Sequence, residues 1–270
     1  MMIPGLDLGI LGPPFLAGVL VCITHIPLGR KVLDKGIIFI DLAVAQLAAL
    51  GVIGASLTGA EITGLWAQLA AALSALIGSG WLHLCERWWP ETQEALIGVT
   101  FVLAASASLL LLAHNPHGAE HMQDLLSGQI LWVSYGQLWP IALLYAVVIS
   151  LLYFGRAWGR WVFYICFALT VTASVQLVGV YLVFASLIAP ALAVRKLSES
   201  KAIMTGYTVG FLGYGVGLIC SAWMDLPTGP LIVWTLAIMA VIVAYGWKLI
   251  RLGTRSLCSE GNTMAVKNDQ

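Results

Sequence analysis

Charge is scarce in this chain: only 10% of its 270 residues are Asp, Glu, Lys or Arg, against about 25% in a soluble globular protein. Acidic and basic residues balance at 13 each, so no basic field exists to hold a phosphate backbone, and nucleic acid is excluded as a partner. The Gly-x-x-x-x-Gly-Lys-Ser/Thr string that cradles nucleotide phosphates is absent, as is the Gly-x-Ser-x-Gly elbow of serine hydrolases. Any use of ATP therefore requires a separate subunit. The five cysteines, Cys22, Cys85, Cys166, Cys220 and Cys258, form no Cys-x-x-Cys pair, which argues against a disulfide framework or a thiolate metal site. No basic stretch precedes the first apolar run, as a cleaved secretory signal would have, so the first span is expected to stay.

Apolar sequence fills the space: 60% of residues are hydrophobic and the mean hydropathy is +0.93. The runs are continuous and not alternating, which predicts an all-α polytopic membrane protein and excludes an outer-membrane barrel. Eight spans are expected, near 9–28, 36–58, 62–84, 94–113, 138–155, 161–185, 203–222 and 230–250. Together they make a transmembrane domain over 1–255, and the polar stretch 256–270 reads as a disordered tail. With eight spans and both termini in the cytoplasm, the inner side would hold seven Lys and Arg residues and the outer side six, which sets no orientation. The apolar stretch from Trp161 to Val194 is long enough to hide a further segment. Small residues line two spans: Ala43, Ala45, Ala48, Ala49, Gly51, Gly54 and Ala55 in the second, and Gly206, Gly210, Gly213 and Gly217 on one face of the seventh. Such faces let helix backbones pack closely in lipid.

Polar groups at membrane depth are costly and ask for a reason. Asp41 sits within GIIFIDLAVAQLAALG, with Gln46 following. Its carboxylate needs a cation, which a metal ion or a lysine such as Lys35 would supply, or else a proton or a structural hydrogen bond. Five residues apart on a helix, Asp41 and Gln46 diverge by about 140°, so a regular helix cannot aim both at one ion. His25 and His83 read as satisfied interfacial histidines, and Asp225 with Pro227 and Gly229 as a turn. The densest set of metal-ligating side chains is His114, His117, Glu120, His121 and Asp124, three imidazoles and two carboxylates that suit zinc, manganese or iron(II). His117, Glu120 and His121 also match His-x-x-Glu-His, the inverted zinc-peptidase motif, although Pro116 and Gly118 flank its first histidine. A solvated polar loop, a transient metal-handling loop and an intramembrane zinc hydrolase all remain open for this stretch.

Four segments in order resemble the permease subunits of ABC importers for divalent metal ions (zinc, manganese, iron). They are Asp41 to Gln46 followed by Gly51; Asp124 to Ser134, DLLSGQILWVS; Val178 to Ala193, VGVYLVFASLIAPALA; and Gly217 to Val233, ending DLPTGPLIV. The likeness runs roughly from Gly29 to Lys248 and implies a type II ABC-importer-like permease bundle in the cytoplasmic membrane. It further implies a homodimer of permease copies, an ATP-binding ABC subunit, an extracytoplasmic metal-binding protein, and alternating access for a divalent metal carried as substrate, with no stably bound cofactor. Under the resemblance Asp41 and Gln46 line the substrate pathway, with Asp41, His117 and His121 as candidate metal ligands. Pro190, Arg195 and Lys196 mark the segment that couples to the ATPase, which places Ala189–Ser200 in the cytoplasm and favours cytoplasmic termini and a cytoplasmic His114–Asp124 loop. Proline at 190 is expected to kink or end its helix, leaving a short amphipathic piece after it. The family's histidine four residues beyond the aspartate is replaced here by Ala45, which leaves the metal undetermined. The rival readings are a proton-coupled secondary metal transporter, a permease for a metal chelate, and the zinc hydrolase.

Overall fold

A computed structural model describes residues 8–56, 64–112, 128–154 and 160–267. Among the described residues nine α-helices follow in chain order: α1 Leu8–Lys35, α2 Ile40–Ser56, α3 Leu65–Trp88, α4 Gln93–Leu112, α5 Tyr135–Phe154, α6 Arg160–Val178, α7 Val180–Val194, α8 Glu199–Met224 and α9 Thr228–Lys267. Single 3-10 turns lie at Pro90–Thr92 and Ile130–Trp132, and no strand occurs among the described residues. Seven of the helices have a stretch long and apolar enough to cross a membrane, and the two shorter ones, α2 and α7, are apolar throughout. Those two are sheathed by the others. Ten of the seventeen residues of α2 and nine of the fifteen of α7 are buried, whereas α4, α5 and α9 present most of their surface outward. A helix hydrophobic all round is a core helix, and the sequence of α2 and α7 fits that place.

The expected span 161–185 is two helices. Gly179 breaks the run with φ +82°, a left-handed conformation that a side chain would strain, and its amide still caps α6 through Val175 O at 2.9 Å. The proline at 190 does not end its helix: α7 runs through a buried Pro190 to Val194. Proline removes one donor, and the freed carbonyls are tolerable where neighbours approach closely. Gly29 of α1 faces the Leu187 carbonyl so closely that no Cβ fits between them. Pro27 in α1 is handled in the same way: the carbonyl four residues before it, Ile23 O, accepts the Tyr207 hydroxyl at 3.2 Å. The helix α9 extends to Lys267.

The glycine stripe of α8 serves two neighbours. Gly206 and Gly210 face Ile26 and Cys22 of α1, and Gly213 and Gly217 face Leu236 and Ile232 of α9. Thr235 donates to Gly213 O at 2.7 Å across that second contact. Two buried hydroxyl pairs tie the interior: Tyr145 with Ser174 at 2.5 Å, and Tyr214 with Ser186 at 2.8 Å. At the turn after α8, Asp225 adopts φ +52° and Ser221 donates to Leu226 O at 2.7 Å, so this aspartate shapes a turn as the sequence suggests.

Cross-helix contacts fix the direction of every helix. Lys35 meets Glu86, Glu86 meets Arg160, Phe39 meets Glu94, and Arg30 donates to Glu199 O at 3.2 Å. The ends of α1, α3, α5 and α7 and the starts of α2, α4, α6 and α8 therefore share one end of the bundle. The described helices alternate in direction, so Leu8 and the last crossing residues of α9 lie at opposite ends of the bundle. This overturns the seven-to-six division of charge. Arg30, Lys31, Lys35, Arg87, Arg160, Arg195, Lys196 and Lys201 all sit at one end, and Lys248, Arg251, Arg255 and Lys267 follow where α9 emerges there. No Lys or Arg among the described residues lies at the other end. The hidden ninth helix had split a single set in two.

Exposed aromatics mark two belts. Trp88, Trp89, Tyr153 and Trp161 ring the basic end, and Trp66, Trp132, Tyr135 and Trp223 ring the opposite one. Amphipathic rings gather at both membrane–water boundaries, so the belts place the bilayer between them.

Candidate functional site

The site grows from the start of α2, next to the basic end. The chain leaves α1 through a tight turn in which Gly36 has φ +73° and Ile37 N donates to Val32 O at 3.2 Å. Glu94 of α4 then accepts from Phe39 N at 3.4 Å, and the Phe39 ring stacks on Phe184 of α7 with centroids 6.5 Å apart. These contacts hold the first turn of α2 in the middle of the protein. Asp41 lies in that turn, 1% exposed, and its carboxylate oxygens have no partner beyond the backbone amides of Asp41 and Leu42 in the same turn. The lysine suggested by the sequence is not its partner, because Lys35 Nζ is given to Glu86 at 2.8 Å.

What surrounds Asp41 is the positive end of a helix. Amides in the first turn carry partial positive charge, worth about 1–2 kcal/mol to a partly buried anion at best. That falls short of the several kcal/mol that burying an ion costs. Asp41 is thus a strained group in a purely structural account and a fitting one in a pathway. Gln46, one turn on, is 4% exposed, and its Oε1 is also without a partner. The helix between them is regular, so the two side chains cannot converge on one point, as their spacing foretells. They can act only in succession along α2. No three His, Cys, Asp or Glu side chains among the described residues come together as a metal cage.

His25 is not near a helix end. It is fully buried within α1, with Nδ1 2.9 Å from Val21 O and 3.0 Å from Thr24 Oγ1, while Nε2 is unpartnered. His83 packs on Trp161 and Tyr164, with ring centroids 4.0 and 5.0 Å away. The metal-handling candidates His114, His117, Glu120, His121 and Asp124 lie outside the described residues. The described residues that flank them, Leu112 and Gly128, are at the end of the bundle opposite Arg195. Arg195 and Lys196 occupy the short turn between α7 and α8 at the basic end.

One polar cluster escaped the sequence reading. Glu86, on the last turns of α3, meets Lys35 Nζ at 2.8 Å, Arg160 at 3.4 Å and the His83 ring at 3.5 Å. Charges near span ends look like boundary residues in a sequence. The available signal was His83-x-x-Glu86, one helical turn apart on the same face.

A model of the ABC 3 transport family matches residues 8–159 and 157–246. Among curated proteins, a high-affinity zinc uptake system membrane protein of Haemophilus influenzae is 24% identical over 256 residues, covering 86% of this chain and 96% of its own length. An uncharacterized membrane protein of Synechocystis sp. is 26% identical over 265 residues, covering 89% and 92%. Among solved structures, PsaBC from Streptococcus pneumoniae in complex with Fab aligns with a TM-score of 0.69 at 18% identity, over 87% of this chain and 90% of that one.

Proposed function

This chain belongs to the ABC 3 transport family, and we propose that it is the permease subunit through which an ATP-driven importer moves a divalent metal ion across the cytoplasmic membrane. The observation that carries the reading is Asp41: a buried carboxylate with no partner beyond the amides of its own first turn, at the start of a helix with ten of its seventeen residues buried. An arriving cation supplies the interaction that the helix dipole alone leaves short. A single carboxylate offers a passing contact and no cage, which suits an ion that must also leave. Zinc in the named function of the Haemophilus relative supports a transition metal as cargo.

We place the basic end in the cytoplasm. Every Lys and Arg of the described helices lies there, and positively charged loops stay on the cytoplasmic side. The N-terminus then faces outward and the C-terminus inward. The turn at Arg195 and Lys196, following the helix of Pro190, becomes the contact for the ATP-binding subunit, and the opposite end receives the ion from an extracytoplasmic binding protein. Leu112 and Gly128, the described residues that flank His114, His117, Glu120, His121 and Asp124, lie at that receiving end, and imidazole and carboxylate suit a divalent transition metal. Two permease copies form the pathway, and rocking of packed helices alternates its access.

Two measurements test this reading. Alkaline phosphatase fused after Leu112 is expected to be active and after Lys35 inactive; the reverse pattern inverts the orientation and removes the ATPase contact from Arg195. In cells deprived of their own high-affinity importer, this chain with its ATPase subunit is expected to restore growth on limiting zinc or manganese in a vanadate-sensitive way. Growth without any ATPase would favour the proton-coupled transporter instead.

A further inference from the structure

The helices pack as two lobes. One holds α3, α4 and α6 packed around α2; the other holds α1, α7, α8 and α9, with α5 leaning on both α1 and α6. Between the lobes the packing is sparse, and α1 and α3 have almost no backbone proximity at all. Yet one ion pair joins them. Lys35 ends α1 in the second lobe, and its ammonium lies 2.8 Å from Glu86 of α3 in the first. The same ammonium sits over the rings of Phe163 and Tyr164 of α6, 5.3 and 5.7 Å from their centroids. Glu86 is 13% exposed and Lys35 28%, so water screens this pair less than a surface one.

The cluster is built so that the pair can part. Removing a cation from a half-buried carboxylate normally leaves a costly bare charge. Here Arg160, on the same lobe as Glu86 and 3.4 Å from it, is a second cation that stays behind when Lys35 moves away with α1. Lys35 itself carries a flexible four-carbon stem that reaches water. The Phe39–Phe184 stack also crosses this part of the seam, and it slides without breaking a polar contact.

We propose that the Lys35–Glu86 pair is a latch that holds the two lobes together at the cytoplasmic end, released to Arg160 each time the bundle rocks. The role in the cycle rests on the permease reading above; the latch itself is a property of this chain alone. Hydrogen exchange of the full-length chain in lipid nanodiscs reads it directly. Glu86→Gln and Lys35→Gln are expected to speed exchange of the Gly36–Ile40 amides about tenfold, the scale of losing one charge-assisted contact. Lys35→Arg is expected to keep them at the wild-type rate, and the α8–α9 contact is expected to be unchanged in all three. Wild-type exchange at Gly36–Ile40 in both Gln variants overturns the latch, as does faster exchange spread evenly over both lobes, which would make the pair a general fold contact. In the assembled complex, Glu86→Gln is expected to raise ATP hydrolysis in the absence of metal; an equal fall with and without metal contradicts the latch. Failure of the wild-type chain to assemble with an ATPase would sink the permease reading, while the exchange result would still decide the latch.

Discussion

Asp41→Asn is expected to remove metal uptake while making the metal-free protein more stable. The opposite directions follow from one cause. Asp41 is buried with no side-chain partner, so its charge burdens the folded state and gains only the amides and dipole at the start of α2 in return. The amide keeps the shape and sheds that burden. It also loses the charge that attracts the ion, and a charge-assisted contact of about 1.5–3 kcal/mol corresponds to roughly 10–100-fold in rate or occupancy. Uptake of radiolabelled zinc or manganese, normalised to membrane abundance, measures the first effect. Thermal unfolding in detergent measures the second, with a rise of about 2–4 °C for each kcal/mol recovered. Uptake at the wild-type level would take Asp41 out of the pathway. A fall in unfolding temperature would mean that its carboxylate has a structural partner after all.

Gly51→Leu is expected to cost the protein its fold. A Cβ at Gly51 would lie 2.5 Å from Ala70 O and 2.9 Å from both Ala70 C and Ser74 Cβ. Two of these are backbone atoms of α3 and cannot swing aside, so α2 and α3 must separate. Separation also loosens the bond from Ser74 Oγ to Leu47 O, 2.6 Å, on the same face. Overpacking a well-filled interface costs about 1–3 kcal/mol before any helix shift is counted. The yield of monodisperse protein by fluorescence-detected size exclusion is expected to fall to about a tenth or less, the factor that 1.4 kcal/mol represents. Gly54→Leu is the control, because a Cβ there meets nothing within 4 Å. Equal yields from the two variants would contradict the α2–α3 packing described above.

The sequence disclosed these two sites for different reasons. Asp41 was visible because a lone carboxylate among apolar residues is expensive wherever it lies. Gly51 was visible as one of a series of small residues, but which neighbour it admits depends on α3 and could not be read locally. The length of the apolar stretch from Trp161 to Val194 leaves room for a further segment, but hydropathy does not mark Gly179 as the break, because Val178 and Val180 on either side of it are apolar, and both are buried. That single omission changed the count of helices from eight to nine and reversed the parity of every loop before it. Arg30, Lys31, Lys35, Arg87 and Arg160 were therefore assigned to the wrong face. Pro190, expected to kink or end its helix, lies inside one that runs on to Val194, and nothing local in the sequence separates a proline that ends a helix from one carried within it. Lys35 drew attention only as a possible partner of Asp41. Its bond to Glu86 joins residues 51 positions apart, and such a pairing becomes legible only once the ends of α1 and α3 are known to coincide.

Family membership and fold leave the energy source as the main question, and transport into sealed liposomes answers it most directly. The chain and its ATPase subunit, reconstituted with ATP and the delivering protein on their respective sides, are expected to accumulate zinc or manganese, and vanadate or omission of ATP is expected to stop it. Accumulation driven by a proton gradient through this chain alone, with no nucleotide present, would contradict the account.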